Sequence, residues 1–432
     1  MRLYSTGDPS VSTSFQDAVR QGLAPDGGLF MPQQLPQLPF SFWYGLKGGT
    51  IADTARNLFH HVLKEDFTDE QREEIVDRAF TFDAPVVSLD ERTHVLELFH
   101  GPTLAFKDFG ARTMAAMLSV IAQQQGTRLT IITATSGDTG AAVAQGFYKA
   151  PGIEVFVLYP GGQVSPLQEK QFTTLGENIT ALEVNGTFDD CQRLVKASFA
   201  DPDIRSSKQL TTANSINIAR LLPQMTYYAH AVAGLLTDGN SQPPILCSVP
   251  SGNFGNLTAG LLAFKMGLPV SRFVAATNIN HIVPDYLEKG DFHPQPSVRT
   301  ISNAMDVGNP SNFDRMLSLY GNNHEEMARD IRGAWFDDRR TGQAISEVWK
   351  EHRYIMDPHT AVGYLGCREH LRPEEQGLIL STAHPAKFPD TIEALIPGAL
   401  KTPERLSRLV SMQKKSIPVE ADIASVKEVL LQ

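Results

Sequence analysis

Cysteine is scarce in this sequence: Cys191, Cys247 and Cys367 are the only three in 432 residues, they lie far apart, and no CxxC pair occurs. That spacing excludes a disulfide framework and a cysteine metal site, and suits buried free thiols in a reducing compartment. No basic cluster offsets the formal net charge of −10, so the chain does not read as a nucleic-acid binder. No apolar run reaches the roughly 20 residues that a membrane span needs. The opening, MRLYSTGDPS, lacks the apolar core of a secretory signal, so a cytoplasmic location is expected. Neither a fixed-period repeat nor a low-complexity linker is present.

The rest of the composition is that of an ordinary enzyme, 42% hydrophobic and 20% charged, enough for a large core. The length predicts two or three domains. Residues 1 to about 90 read as mainly helical, with patterns at Ile51–Lys64 and Asp69–Phe80 and a turn-rich interruption at Leu23–Pro32, where Gly27 and Gly28 can take positive φ. No catalytic cluster stands out there, and the segment reads as a packing or lid domain.

From Val95 onward strands alternate with helices, which predicts a parallel α/β sheet. Strand runs fall at Leu129–Thr135, Val155–Tyr159 and Ile179–Val184, with helices at Ala141–Tyr148, after Ser165-Pro166, and at Thr187–Ala200. The polar stretch Thr237–Pro244 marks a break. A second unit follows, with strands at Ile245–Val249, Phe273–Thr277 and Leu378–Thr382, a helix at Leu257–Met266, helical segments across 324–371, and a polar helical tail from Pro403.

Four stretches carry chemistry. In HGPTLAFKDFG, His100 to Gly110, Lys107 sits in a small, apolar run. Burial lowers a lysine pKa and makes the amine a nucleophile for a carbonyl. A surface lysine with its stem along apolar neighbours fits the same residues. The glycine loops TSGDTG (Thr135–Gly140) and SGNFGN (Ser251–Asn256) each sit where a strand hands over to a helix, so free backbone N–H groups and the helix dipole favour an anion. Either loop alone also reads as a capped turn. Together with a desolvated lysine they suit a phosphate-bearing carbonyl cofactor and a substrate carboxylate at the carboxyl ends of strands. In TANSINIAR, Thr212–Arg220, Asn214 and Ser215 are good helix caps and Arg220 has the fork of donors that phosphate prefers, although a capped helix with a solvated arginine reads the same way.

HGPTLAFKDFG, TSGDTG, ANSINIAR, PSGNFGN and STAHPAKF, in this order and spacing, closely resemble the threonine synthases of the bacterial and fungal long-chain type. The opening SFQDAVRQGLAPDGGLFMP is also similar to that family, so the resemblance runs from near residue 1 to about 390. It implies the second fold type of pyridoxal-phosphate enzymes, tryptophan synthase β-like. That is two parallel-sheet α/β subdomains plus a mainly helical N-terminal domain at 1–90, with 126–224 as the smaller subdomain and 91–125 plus 225–432 as the larger.

Carried over by position, the resemblance makes Lys107 the Schiff-base lysine and the catalytic base. Gly252, Asn253, Phe254 and Gly255 would cradle the phosphate of pyridoxal 5'-phosphate, and Thr382 would face its pyridine nitrogen. Ser136, Gly137, Asp138 and Thr139 would hold the substrate carboxylate, and Asn214, Ser215 and Arg220 its phosphate; no metal is implied. Three positions depart from the pattern. Asp138 stands where related enzymes often have Asn and would repel a carboxylate, so capping the next helix or facing the ring suits it better. Asn256 stands where Asp is expected, and the Arg that often follows the opening Ser-Thr is missing.

The implied reaction converts O-phospho-L-homoserine and water to L-threonine and phosphate. A phospho-lyase releasing 2-oxobutyrate, an amino-acid dehydratase of the same fold, and a non-catalytic homologue are the alternatives. The implied partner is the small-molecule substrate, with neither nucleic acid nor membrane, and the chain is expected as a monomer or weak homo-oligomer.

Overall fold

The computed structural model describes residues 1–237 and 242–432, so residues 238–241 of the break at Thr237–Pro244 lie outside the described residues. Two largely parallel sheets carry the alternation read from the sequence. The larger has six strands in the order Ile331–Trp335, Arg272–Thr277, Ile245–Pro250, Gln376–Ser381, Thr93–Glu97 and Val86–Ser88, antiparallel only in the last pair. The smaller has five parallel strands, Ile417–Glu420, Ile179–Asn185, Ile153–Pro160, Leu129–Ala134 and Leu210–Thr211. Central strands such as Leu129–Ala134 and Ile245–Pro250 are buried at every residue, which is why they read as unbroken apolar runs: helices cover both faces.

The sheets are joined by the helix Lys107–Gln125. It leaves the loop after Thr93–Glu97 of the larger sheet, is buried along most of its length, and stops at Gly126 in the left-handed region (φ 61°) before Leu129–Ala134 of the smaller. It is crossed tightly by helix Asp138–Phe147. A Cβ on Gly146 would lie 2.9 Å from the carbonyl carbon of Ala111, so only glycine allows that approach.

The N-terminal segment is less purely helical than its sequence suggests. Helices Ile51–Val62 and Asp69–Ala79 begin with capping boxes built on Thr50/Asp53 and Thr68/Gln71. An antiparallel sheet of Ser12–Ser14, Arg2–Ser5 and Phe30–Pro32 lies beside them; strands this short give no legible alternation. Gly27 takes φ 83°, but Gly28 does not; it is glycine because a Cβ would strike Ser5 Oγ and the backbone of Gly7. Phe15, Trp43, Phe59 and Ile75 share one core with Met114 and Phe109 of the lysine helix, so the segment is a fixed buttress. Arg112 of that helix also donates to the carbonyls of Arg78 (2.6 Å) and Ala79 (3.1 Å).

Order along the chain places all of 225–432 in the larger subdomain, and the pairing corrects this. Strand Ile417–Glu420 adds to Ile179–Asn185, and Val426 and Leu430 of the last helix pack on Leu182 and Leu194, so the tail completes the smaller unit. The three cysteines are buried and free. Among the described residues no helix is long and apolar enough to cross a membrane.

Candidate active site

The pairing order decides which loops meet. In the larger sheet Thr93–Glu97, Gln376–Ser381 and Ile245–Pro250 are parallel neighbours, and their carboxyl ends lead to the Lys107 loop, Thr382 and the loop 251–255. In the smaller sheet Leu129–Ala134 and Leu210–Thr211 are neighbours and deliver the loop 135–140 and the stretch 212–220. All five candidate stretches therefore lie at carboxyl strand ends, where an open α/β sheet collects ligands.

The Lys107 loop is stitched to the end of strand Gln376–Ser381. Phe106 N–H donates to the Thr382 carbonyl at 2.9 Å, and His384 N–H to the Leu104 carbonyl at 3.0 Å. Leu104 takes φ 60°, an unusual conformation for a branched side chain and a sign that the loop is held by its surroundings. Behind Lys107 the carboxylate of Asp108 accepts from Thr103 N–H (2.8 Å) and Thr103 Oγ1 (2.7 Å). Burial pushes this carboxyl up to about 6 against the pull of those bonds.

Lys107 Nζ lies 3.9 Å from Asp138 Oδ2, and the other oxygen of that carboxylate is 2.7 Å from Lys387 Nζ. Burial pushes the Lys107 amine down; Asp138 opposes this, and Lys387 and Arg220 add to it. Burial by itself would raise the Asp138 carboxyl, but Lys387 and Lys107 outweigh it and hold the group well below the usual carboxylate range. Asp138 thus does not cap its helix, and its carboxylate is not free to meet a substrate. It is committed to Lys387 and to Gln168 Nε2, which donates at 2.9 Å. Lys387 belongs to the same motif as Thr382, and only its neighbours in space make it a site residue.

Gly137 is strained open at φ 144°, and a Cβ there would lie 2.8 Å from Gln168 Oε1. Thr135 Oγ1 accepts from Gly137 N–H (2.9 Å) and Gly140 N–H (2.8 Å), which shapes the loop. Ser136 is exposed, Thr139 is half-buried, and the helix they open has no side-chain cap, which leaves its first backbone N–H groups for an anion.

Helix Gly255–Lys265 likewise starts without a side-chain cap, behind Phe254 at φ 59°. Asn253 is clamped from outside: its carbonyl accepts from Asn312 N–H (3.2 Å) and its Oδ1 from Ser311 N–H (3.3 Å). A Cβ on Gly252 would sit 2.7 Å from the Ala304 carbonyl and 2.9 Å from Met305 Cα, both backbone atoms that cannot step aside. Gly252→Ala is expected to weaken pyridoxal phosphate binding by about tenfold or more, on the scale of a lost hydrogen bond or two. Titrating the apoprotein and following the visible absorption checks this.

In the third stretch the cap is Asn217, whose Oδ1 accepts from Ala219 N–H at 3.0 Å, and not Asn214 or Ser215. Asn214 Oδ1 accepts from Thr133 Oγ1 at 2.9 Å, and the Ser215 carbonyl accepts from Arg315 Nη1 at 3.3 Å. Arg220 is 4% exposed, with Nη1 on the Ala213 carbonyl (2.5 Å) and Nε buried without a partner among the described residues. Burial pulls its guanidinium down to about 10.

Sequence patterns do not reveal Arg315, which is fully buried and has no carboxylate partner among the described residues. It donates to the carbonyls of Phe30 (3.2 Å), Ser215 (3.3 Å) and Ile216 (2.6 Å) and to Asn312 Oδ1 (2.7 Å). It therefore ties the N-terminal strand and the 214–216 turn to the residue that clamps Asn253. Asn256 stays outside the site, its Oδ1 taken by the hydroxyls of Tyr227 (2.6 Å) and Tyr228 (2.8 Å).

A desolvated lysine and two uncapped glycine-loop helix ends at carboxyl strand ends form a set that suits a carbonyl cofactor carrying phosphate. Gly252, which no Cβ fits, and the unsatisfied Nε of Arg220 both suit ligands with anionic groups. Residues 87–382 match the family model of pyridoxal-phosphate dependent enzymes, residues 2–80 that of the threonine synthase N terminus, and residues 360–430 that of the threonine synthase C-terminal region. Threonine synthase of Escherichia coli is 44% identical over 431 residues, covering 100% of this chain and 99% of that protein. Its crystal structure superposes with a TM-score of 0.90 at 43% identity, covering 100% of this chain and 99% of that one. The pyridoxal-phosphate-bound threonine synthase of Brucella melitensis superposes at 0.94 with 33% identity, covering 100% and 99%. The fold is that of the fold type II pyridoxal-phosphate enzymes, and the chain is a pyridoxal-phosphate-dependent lyase. The chain belongs to the threonine synthase family.

Proposed function

We propose that this enzyme converts O-phospho-L-homoserine and water to L-threonine and phosphate, and that the residues brought together above divide the work. The observation that carries the reading is that three anion-ready places lie at the carboxyl strand ends that also carry Lys107: two uncapped helix ends and the buried Arg220. A cofactor phosphate, a substrate carboxylate and a substrate phosphate need three such places. An amino-acid dehydratase would leave one without use.

In this reading Lys107 holds the cofactor, and Gly252, Asn253, Phe254 and Gly255 present backbone N–H groups to its phosphate. Ser136, Gly137 and Thr139 hold the substrate carboxylate; Asp138 is left out of that set because Lys387 already occupies it. Arg220, with Asn214 and Ser215, holds the substrate phosphate. The bound cofactor supplies an electron sink for carbanion chemistry at the amino acid. Lys107, whose amine burial pushes down against the pull of Asp138, takes the proton from Cα and moves protons at Cβ so that phosphate can leave Cγ. Thr382 offers the ring nitrogen a hydroxyl, which cannot hold a proton there as a carboxylate would, so the sink stays mild.

The smaller unit, 126–224 with the tail strand, supplies both substrate-anion sites and the larger one the cofactor-phosphate site, so substrate and cofactor together bridge the two units. Bridging keeps bulk water out while one water adds at Cβ. A single assay following phosphate, threonine and 2-oxobutyrate together tests the proposal. Threonine is expected as the main product with keto acid minor, and phosphate release with little threonine would make the enzyme a phospho-lyase. Ser136→Ala loosens the bridge and is expected to raise the keto-acid fraction while lowering the rate. We further propose a cytoplasmic enzyme, monomeric or weakly self-associating, without a nucleic-acid partner, as its net charge of −10 favours.

A further inference from the structure

A second lysine lies against Asp138, and the reaction as described leaves it without a task. Lys387 has a side chain only 1% exposed, with Asp138 Oδ1 at 2.7 Å and the Thr103 carbonyl at 2.9 Å from its Nζ. A buried ammonium is costly unless paired and hydrogen-bonded, so this geometry is built rather than incidental. The turn Pro385–Lys387 that carries it is capped by His384, whose Nδ1 accepts from Ala386 N–H at 3.0 Å, and follows directly on Thr382. Its other acceptor, Thr103, is held by Asp108, the residue after Lys107. Lys387 thus links the smaller unit, through Asp138, to the backbone that positions Lys107.

We propose that Lys387 is a positioning residue for the reaction, acting through Asp138 to set the charge and place of the Lys107 amine. The charged groups facing Lys107 are Asp138, Lys387 and Arg220, and those facing Lys387 are Asp138 and Asp108. Asp138 is the one anion among the first three. Were its charge spent on Lys107 alone, it would hold that amine protonated and poor as a nucleophile and base. With Lys387 on its other oxygen the carboxylate is neutralised, so it orients the Lys107 amine at 3.9 Å without trapping a proton on it. The inference rests on Lys107 being the cofactor-bearing lysine.

The test is a pH titration of the visible absorption band of the cofactor-loaded protein. Lys387→Met is expected to raise the midpoint by roughly one to three units, the range for an opposite charge within about 4–6 Å. Lys387→Arg, which keeps the charge, is expected to bring it most of the way back, and Asp138→Asn to lower it. The double variant Lys387→Met/Asp138→Asn should return toward the native midpoint, since the charge through which Lys387 acts is gone. An unchanged midpoint in loaded Lys387→Met overturns the proposal. If that variant does not fold, an unchanged midpoint in Asp138→Asn overturns it instead. Borohydride labelling of the same samples reads the underlying assignment separately: label on a lysine other than Lys107 sinks that assignment whatever the midpoints do.

Discussion

Lys107→Ala loses turnover by about a thousandfold or more, because both the covalent anchor of the cofactor and the base go with the amine. The fold is expected to survive. Lys107 is the first residue of its helix, and the helix is held by Phe109, Met114, Met117, Leu118 and Ile121, all buried. What the change removes from the protein is one 3.9 Å ion pair, while Asp138 keeps its shorter partner, Lys387. Thermal unfolding should therefore move little. The native protein should be yellow when loaded, and borohydride should fix the cofactor to a single peptide containing Lys107. Full activity in the variant, or label elsewhere, would overturn the assignment.

Arg220→Ala is expected to lower kcat/KM for O-phosphohomoserine by about ten- to a hundredfold or more. A charge-assisted contact contributes roughly 1.5–3 kcal/mol, and each 1.4 kcal/mol is a factor of ten. The structural motive is that one edge of the guanidinium is anchored on the Ala213 carbonyl while Nε has no protein partner. Arg220 also packs on Gly110 of the lysine helix, with Nε 3.0 Å from where a Cβ there would lie. Arg220→Lys should recover little, because an ammonium cannot reproduce the planar fork. Cofactor affinity is expected to hold, since the 252–255 loop is clamped by Asn312 and Ser311 and not by Arg220. A variant that lost cofactor but kept its KM would show that the two phosphate sites had been exchanged.

Much of the site is legible in the sequence because its parts are local. A strand that runs into a glycine loop and then a helix builds an anion site from fewer than about ten consecutive residues, whatever surrounds it. Thus 135–140 and 251–255 can be read off directly, as can a lysine set in an apolar run. The caps at Thr50, Thr68, Ser165 and Thr187 are legible for the same reason, each being a side chain bonded to a backbone N–H two or three residues on. The cap of the third stretch misleads because Asn214, Ser215 and Asn217 are all competent. Asn217 takes the role while its Nδ2 donates to the Val19 carbonyl at 2.8 Å, a bond supplied by the N-terminal segment.

By itself, then, the sequence determined the alternation of strands and helices, the apolar run around Lys107 and the two glycine loops, since each rests on residues within a short stretch. Which strands lie side by side and how the two units pack was decided only in three dimensions, and four features follow from it. The packing of one unit on the other brings Lys387 and Asp138 together, although nothing near Asp138 in the chain shows that its charge is already taken. Arg315 finds four oxygen acceptors from four separate residues, a pattern no spacing rule describes. Strand Ile417–Glu420 joins the smaller sheet because Ile179–Asn185 has an open edge there. Gly252 owes its necessity to the Ala304 carbonyl, which the clamp segment brings within 2.7 Å of the missing Cβ. Each depends on contacts between distant parts of the chain, and such contacts exist only once the whole core has formed.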